Sequence, residues 1–430
     1  LTTVASAFQG CTGLTGQIPE DLLRYNTKLT SVQGLFNNCT GLSGSIPANL
    51  LRYNTLLSNV QDLFHACSNL TGSIPSELFR YNTEITTFQY TLRGCTKLTG
   101  GIPVDLFRYN TKATTFYGTL QFNAGLTGSI PGDLFRYNTL VTSFRETLYG
   151  CTGLTGTIPL GLFTYNMAAT NFYQFFYNCT GLTGAIPNLF TTNTLVTTYF
   201  GAFQGCVGLT SIPTDLFRYS GINTTTFENT FYGCTGITSI PANLFDYNTN
   251  VTTFASTFYN TRITTIPTGL FVNNTKVTTF ASTFQNCTAL TAIPTDLFRY
   301  NTAVTSFSAV FNNCKIASIP VDLFRYNTSV TNFSYVFGTN NNLLNIPSGM
   351  FDYNVNVTDF SYAFTNCQSI TSVPSSLFFY NTKVTNFQAV FQNLYVWSGT
   401  LSPTMFVNNT VVSNFSYTFQ GCRSLYGTIP

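Results

Sequence analysis

The stretch Val277-Thr-Thr-Phe-Ala-Ser-Thr-Phe-Gln-Asn-Cys-Thr-Ala-Leu-Thr-Ala-Ile-Pro-Thr-Asp-Leu-Phe-Arg-Tyr-Asn-Thr-Ala303 decides the fold, because the rest of the chain repeats it. Its Ile-Pro pair sets the register. Aligned on that pair, prolines recur every 28 residues from Pro19 to Pro187 and every 26 to 28 residues from Pro187 to Pro374. All 16 prolines of the 430-residue chain occupy this one position. A fixed period of that size marks a solenoid, in which one short unit cannot bury its apolar face alone and must stack on copies of itself. The expectation is a mainly β repeat solenoid of about sixteen stacked coils of 26–28 residues.

Each repeat reads in four parts. Val-Thr-x-Phe alternates β-branched and aromatic residues, which suits a short strand. The following x-x-x-Phe-x-x-Cys is too short for a free helix and predicts a helical turn or corner. Thr-Gly-Leu-Thr-x-Ile-Pro predicts a second extended piece, ended where proline removes a ladder donor. Pro-x-Asp-Leu-Phe-Arg-Tyr-Asn-Thr has proline first, an acid in the first turn and arginine later, which predicts a short helical or 3₁₀ turn with Leu-Phe pointing inward.

One continuous array over residues 1–430 is expected, a segment of a longer one, since it opens and closes in mid-pattern. Within it, residues 1–195 carry mostly 28-residue repeats with Leu-Thr-Gly-x-Ile-Pro, and residues 196–383 lack that glycine, which predicts a change of curvature near residue 196. Residues 384–430 hold an atypical repeat, with Leu394 for cysteine and the single Trp397, and then a partial one.

Only 8% of residues are charged and the net charge is +3, which leaves no basic stripe for nucleic acid. No apolar run of about 18 residues predicts a membrane span. The recurrent acids form no convergent pair, and no nucleophile, base and orienting group can be named, so neither an enzyme nor a cofactor is expected.

In a solenoid the unit of analysis is the column, the same position in successive coils. All 12 cysteines share one column, beginning Cys11, Cys39, Cys67 and Cys95. Parallel side chains one strand spacing apart suit neither disulfides nor tetrahedral metal ligation. Asn123, Thr261, Asn340 and Leu394 interrupt the series, so the expected role is a small buried filler. Arg24, Arg80 and Arg108 share a column with an acid three residues earlier, Asp21, Glu77 and Asp105, which predicts a structural ion-pair ladder. The most variable column follows Val-Thr-x-Phe and is rich in aromatic residues: Tyr90, Tyr117, Tyr173, Phe200, Tyr335, Tyr362 and Tyr417. Variation within one chain means that stacking does not dictate the residue. This face is the candidate binding surface, for sugar rings or for a protein.

The phrase Ala7-Phe-Gln-Gly-Cys-Thr-Gly-Leu-Thr-Gly-Gln-Ile-Pro19, and again Ala202-Phe-Gln-Gly-Cys-Val-Gly-Leu-Thr-Ser-Ile-Pro213, resembles the BspA-type leucine-rich repeats of bacterial surface proteins. The period and Val-Thr-x-Phe are also similar to the 26-residue repeats of bacterial surface lipoproteins. The resemblance implies a leucine-rich-repeat-like solenoid at a cell surface, acting as an adhesin or interaction scaffold for a protein or glycan. An alternative is a subunit of an extracellular filament or of a phage or virion fibre, whose partner is further copies of itself.

Overall fold

The computed structural model describes Leu1–Ile429 and divides into two compact units, Leu1–Asn223 and Thr224–Pro430. Each unit is a stack of parallel coils of the leucine-rich-repeat kind. Continuous strand is scarce: β1 (Gly44–Ser45) pairs in parallel with β2 (Leu70–Thr71), and β3 (Thr183–Ala185) with β4 (Gly208–Ser211). Elsewhere successive coils meet at single parallel bridges between equivalent residues, such as Thr87 with Thr115 and Thr279 with Ser306. Among the described residues no helix is long and apolar enough to cross a membrane.

The segment from Val-Thr-x-Phe to cysteine explains why strands are so short. In the coil of Val32, alternate amides reach the next coil: Val32 to Asn59 O (3.0 Å), Gly34 to Gln61 O (2.8 Å), Phe36 to Leu63 O (3.0 Å) and Asn38 to His65 O (2.7 Å). The amides between them turn back three residues, Leu35 to Val32 O, Asn37 to Gly34 O and Cys39 to Phe36 O. Every main-chain donor in the run is satisfied. The expected strand at Val-Thr-x-Phe is reduced to a single parallel bridge at its third residue, and the expected helical corner after it is instead a spiral of turns. The first and last of these turns take a left-handed residue at the third position, Gly34 (φ 60°) and Asn38 (φ 59°). The Leu-Phe-Arg-Tyr-Asn segment likewise closes by successive three-residue returns, for example Arg24 N to Asp21 O and Asn26 N to Leu23 O.

Phenylalanine columns fill the interior. In unit 1, Phe116, Phe144 and Phe172 stack coil on coil, with centroids 6.0 and 5.5 Å apart, while Phe107, Phe135 and Phe163 form a second stack at 6.2 and 6.3 Å. The two stacks interlock at 4.6 to 5.2 Å in tilted or edge contacts, the arrangement that a ring quadrupole favours. Unit 2 repeats it with Phe254, Phe280 and Phe307 against Phe271, Phe298 and Phe324.

A column of fully buried asparagines ties coil to coil beside this core. Asn138 Nδ2 donates to Phe107 O (3.0 Å) and Asn110 O (2.9 Å), and Asn327 to Phe298 O (3.0 Å) and Asn301 O (2.9 Å). Both amide protons are spent on the preceding coil. The division between the units falls where this pattern is altered: Ser220 stands in the asparagine column, one residue is added, and Gly221–Asn223 form a 3₁₀ turn. The atypical repeat after Val384 keeps the ladder, with Ala389 N donating to Ser416 O and Phe391 N to Thr418 O. Its Trp397 is buried against Phe391 and Phe419.

Candidate interaction face

The turn spiral places the variable columns at the surface, where Tyr90, Tyr117, Tyr173 and Phe200 are half-buried and not fully exposed. In unit 1 they assemble one chain of stacked groups. Tyr90 lies 4.6 Å from Tyr117, the Arg145 guanidinium sits 5.0 Å from the Tyr117 ring and 4.3 Å from that of Tyr173, and Tyr173 stacks on Phe200 at 4.7 Å and 5°. Each coil adds one member. Arg145 is held from below by Glu146, whose carboxylate accepts from Arg145 Nε (3.0 Å) and Gln121 Nε2 (2.9 Å).

A second line, from Phe-x-x-Cys, runs beside the first and was not singled out in the sequence. Arg93 lies 4.8 Å from the Tyr90 ring and 5.6 Å from Phe122; Phe122 meets Tyr149 edge-on at 5.0 Å; Tyr149 stacks on Tyr177 at 4.1 Å. The first x of Phe-x-x-Cys, which carries Arg93, Tyr149 and Tyr177, varies among repeats as strongly as the first column, which is the signal that could have found it; at the second, Phe122 departs from a series of mostly glycine and asparagine. His65 joins at the edge, 3.2 Å from Asp62 and 3.3 Å from Arg93. Burial, then the neighbouring Tyr177 hydroxyl, pushes the Tyr149 phenol up to about 12, and burial likewise raises Tyr90. Both stay neutral at ordinary pH. The chemistry offered is that of hydroxyl edges and two guanidinium groups, because the ring faces are occupied by one another.

In unit 2, Tyr335 stacks on Tyr362 at 4.4 Å and 4°. Tyr417 is exposed, in the same column two coils beyond Tyr362. Unit 2 thus holds three of the seven nominated aromatics, spread over four coils.

The ladders lie apart from this face. Cys39 Sγ donates to Phe8 O (2.8 Å), Cys67 to Phe36 O (3.0 Å) and Cys95 to Phe64 O (3.1 Å); Cys11 is half-buried. The thiols are therefore inter-coil donors as well as fillers. Where cysteine is replaced, Asn123 Nδ2 reaches Leu92 O (2.8 Å) and Asn340 Nδ2 reaches Phe311 O (2.7 Å), the same bond from another donor. Burial pushes Cys151, Cys206 and Cys367 up to about 12. Since only the thiolate reacts, iodoacetamide at pH 8 is expected to label Cys11 in the native protein well before Cys151, and all cysteines once urea is added; mass spectrometry of the peptides measures this.

Arg24, Arg80 and Arg108 pair with Asp21 (3.4 Å), Glu77 (2.8 Å) and Asp105 (3.1 Å) in their own coil. Each also lies over the tyrosine of the following coil: Tyr53 at 5.5 Å, Tyr109 at 5.3 Å and Tyr137 at 5.1 Å. Arg52, without an acid, donates to Asn49 Oδ1 (3.3 Å) and lies over Tyr81 at 5.3 Å. The bond between coils is thus cation to ring, and the exposed acid orients the cation.

Stacked coils with an asparagine column, a cysteine column and a phenylalanine core define a leucine-rich-repeat solenoid. Residues 170–296 and 305–429 match the family described as "Mycoplasma protein of unknown function, DUF285", and the chain belongs to that family. No curated protein matches it. Among solved structures it is similar to a leucine-rich-repeat protein of Leptospira interrogans, at 11% identity over 90% of this chain and 93% of that one (TM-score 0.44). It is also similar to the functional domain of InlJ from Listeria monocytogenes, which includes a cysteine ladder, at 16% identity over 92% and 68% (TM-score 0.40). A TDR receptor is similar at 16% identity over 91% and 72% (TM-score 0.48). Of three further solved structures, the plant peptide hormone receptor RGFR1, PEPR1 with AtPEP1 and the Toll–Spatzle complex, the chain spans 67%, 61% and 49% of the length.

Proposed function

We propose that this chain is a non-enzymatic, extracellular interaction scaffold, a surface adhesin of the BspA-like kind, and that the unit 1 face takes a protein partner. The carrying observation is the division of labour between columns. Core positions repeat the same residues from coil to coil, whereas the face gathers Tyr90, Tyr117, Tyr173 and Phe200 with Arg93 and Arg145 into one patch. Tyrosine and arginine are the residues that carry most binding energy at protein interfaces. Their rings are already stacked, so they lose little side-chain freedom on binding. The extracellular placement rests on the likeness of Ala202-Phe-Gln-Gly-Cys-Val-Gly-Leu to bacterial surface repeats.

A surface-protein array probed with the wild-type chain and with the Tyr90→Ser/Tyr117→Ser/Tyr173→Ser/Phe200→Ser variant tests this. The expected result is partners bound by the wild type and lost, by about a hundredfold or more in affinity, in the variant. Equal binding by both would remove the face from the reading. Self-association of the wild type alone, abolished by the same variant, would replace it with the filament.

A further inference from the structure

Unit 2 differs from unit 1 on the same side of the coil, and the difference suggests a ligand of another class. We propose that the cleft beside the Tyr335–Tyr362 pair binds a neutral saccharide. This goes beyond the protein-binding role of the unit 1 face and does not depend on it.

The cleft has a volume of about 370 Å³ and draws its lining from five successive coils, with Gln285 at one end and Gln392 at the other. None of its lining residues is charged. Two features open it. In the column of Tyr335 and Tyr362 the preceding coil carries Ala309 and the following one Ala389, so this tyrosine pair is flanked by methyl groups. In the neighbouring column, occupied by Tyr149, Tyr177 and Tyr259 in other coils, stands Gly338. A Cβ there would lie 2.7 Å from Asn312 Nδ2, so glycine leaves room for that amide.

The polar groups are placed and partly unused. Tyr362 Oη accepts from Gln388 Nε2 (2.8 Å), and Thr365 Oγ1 donates to Gln392 Oε1 (3.1 Å), which orients both. The side-chain amides of Asn312 and Gln285 line the cleft and make no hydrogen bond within the described residues. An aromatic ring with one face open, rimmed by primary amides and a hydroxyl, matches a pyranose: its C–H face packs on the ring, and neighbouring hydroxyls exchange hydrogen bonds with the amides, each of which both donates and accepts. With no cation in the lining, a carboxylate or phosphate would be desolvated without a partner. The site therefore selects neutral sugars.

Saturation-transfer NMR and titration of the full chain with two neutral tetrasaccharides, lacto-N-neotetraose and cellotetraose, and with sialylated lacto-N-neotetraose, test the proposal. At least one neutral tetrasaccharide is expected to bind. Tyr335→Ala should weaken it by about tenfold or more. Ala309→Tyr should abolish it by extending the tyrosine stack into the cleft. The second variant guards against misfolding, because Ala309 (φ 53°) shares the backbone conformation of Tyr335 (φ 56°) and Tyr362 (φ 58°). Tyr117→Ser/Tyr173→Ser in unit 1 should leave sugar binding unchanged, whether or not the protein-binding reading survives. Binding of neither neutral sugar, unaltered affinity in Ala309→Tyr, or binding that requires the sialic acid would each overturn the proposal.

Discussion

Asn138→Asp is expected to destabilise unit 1 by about 4 kcal/mol or more, although it exchanges one amide for an oxygen of nearly the same size. The cause is a reversal of polarity. Asn138 is fully buried, and its Nδ2 protons go to Phe107 O and Asn110 O at 3.0 and 2.9 Å. A carboxylate would point lone pairs at both carbonyl oxygens and bury a charge without a partner. Its pKa would rise above the unfolded value of about 4, so the loss should shrink as pH falls from neutral towards about 4 and level off below it, where the group is protonated in both states. Asn138→Ala should cost less, about 2 kcal/mol, since it removes two hydrogen bonds of about 1 kcal/mol each. The two carbonyls would each keep a backbone donor, Asn110 N for Phe107 O and Ala113 N for Asn110 O. Urea denaturation of the two variants at pH 7 and pH 4 measures the order and the pH dependence.

Phe144→Ala should lower stability by about 3–5 kcal/mol, the range for a fully buried ring that leaves a cavity. Phe144 has no exposed surface and touches five rings, Phe116, Phe135, Phe163, Phe172 and Phe175, at 4.9 to 6.0 Å. The interlocked stacks leave little freedom for neighbours to collapse into the gap. Phe8→Ala is the comparison: that ring is half-buried and meets one stacked partner, Phe36 at 5.9 Å, so its loss should be less than half as large. Parallel urea titrations of the two variants, followed by circular dichroism, give the ratio.

Much of this architecture is legible in the repeat, and the reason is geometric. A position that recurs every coil must meet its own copies, so Phe116, Phe144 and Phe172 had to stack. The backbone path was less legible. Val-Thr-x-Phe alternates like a strand, yet the residues after it, Gly34 and Asn38 among them, take left-handed turns that still feed a parallel ladder. Period alone does not distinguish a strand from a spiral of turns that returns every second amide.

Two features of the side chains were also hidden by reading within one repeat. Arg24 has an acid three residues before it, which the sequence shows at once, but the ring that it covers is Tyr53, one coil and one residue further on. The cysteine column looks like filler until its replacements are compared: Asn123, Thr261 and Asn340 are donors, and only Leu394 is a plain apolar filler. On the face, Tyr117 and Tyr173 were visible as variable aromatics, whereas Tyr149 and Tyr177 stood in a segment read as a corner. The cation joining Tyr117 to Tyr173 became apparent only with Arg145 in place between them.

One measurement tests most directly whether the residues that hold the coils are separate from those that meet a partner. Urea unfolding and partner binding would be measured on the same preparation of the Tyr90→Ser/Tyr117→Ser/Tyr173→Ser/Phe200→Ser variant. The expected result is a stability loss smaller than that of Phe144→Ala alone, together with loss of the protein partner bound by the wild type. A variant that unfolds as readily as Phe144→Ala, or one that keeps the partner with wild-type affinity, would contradict it.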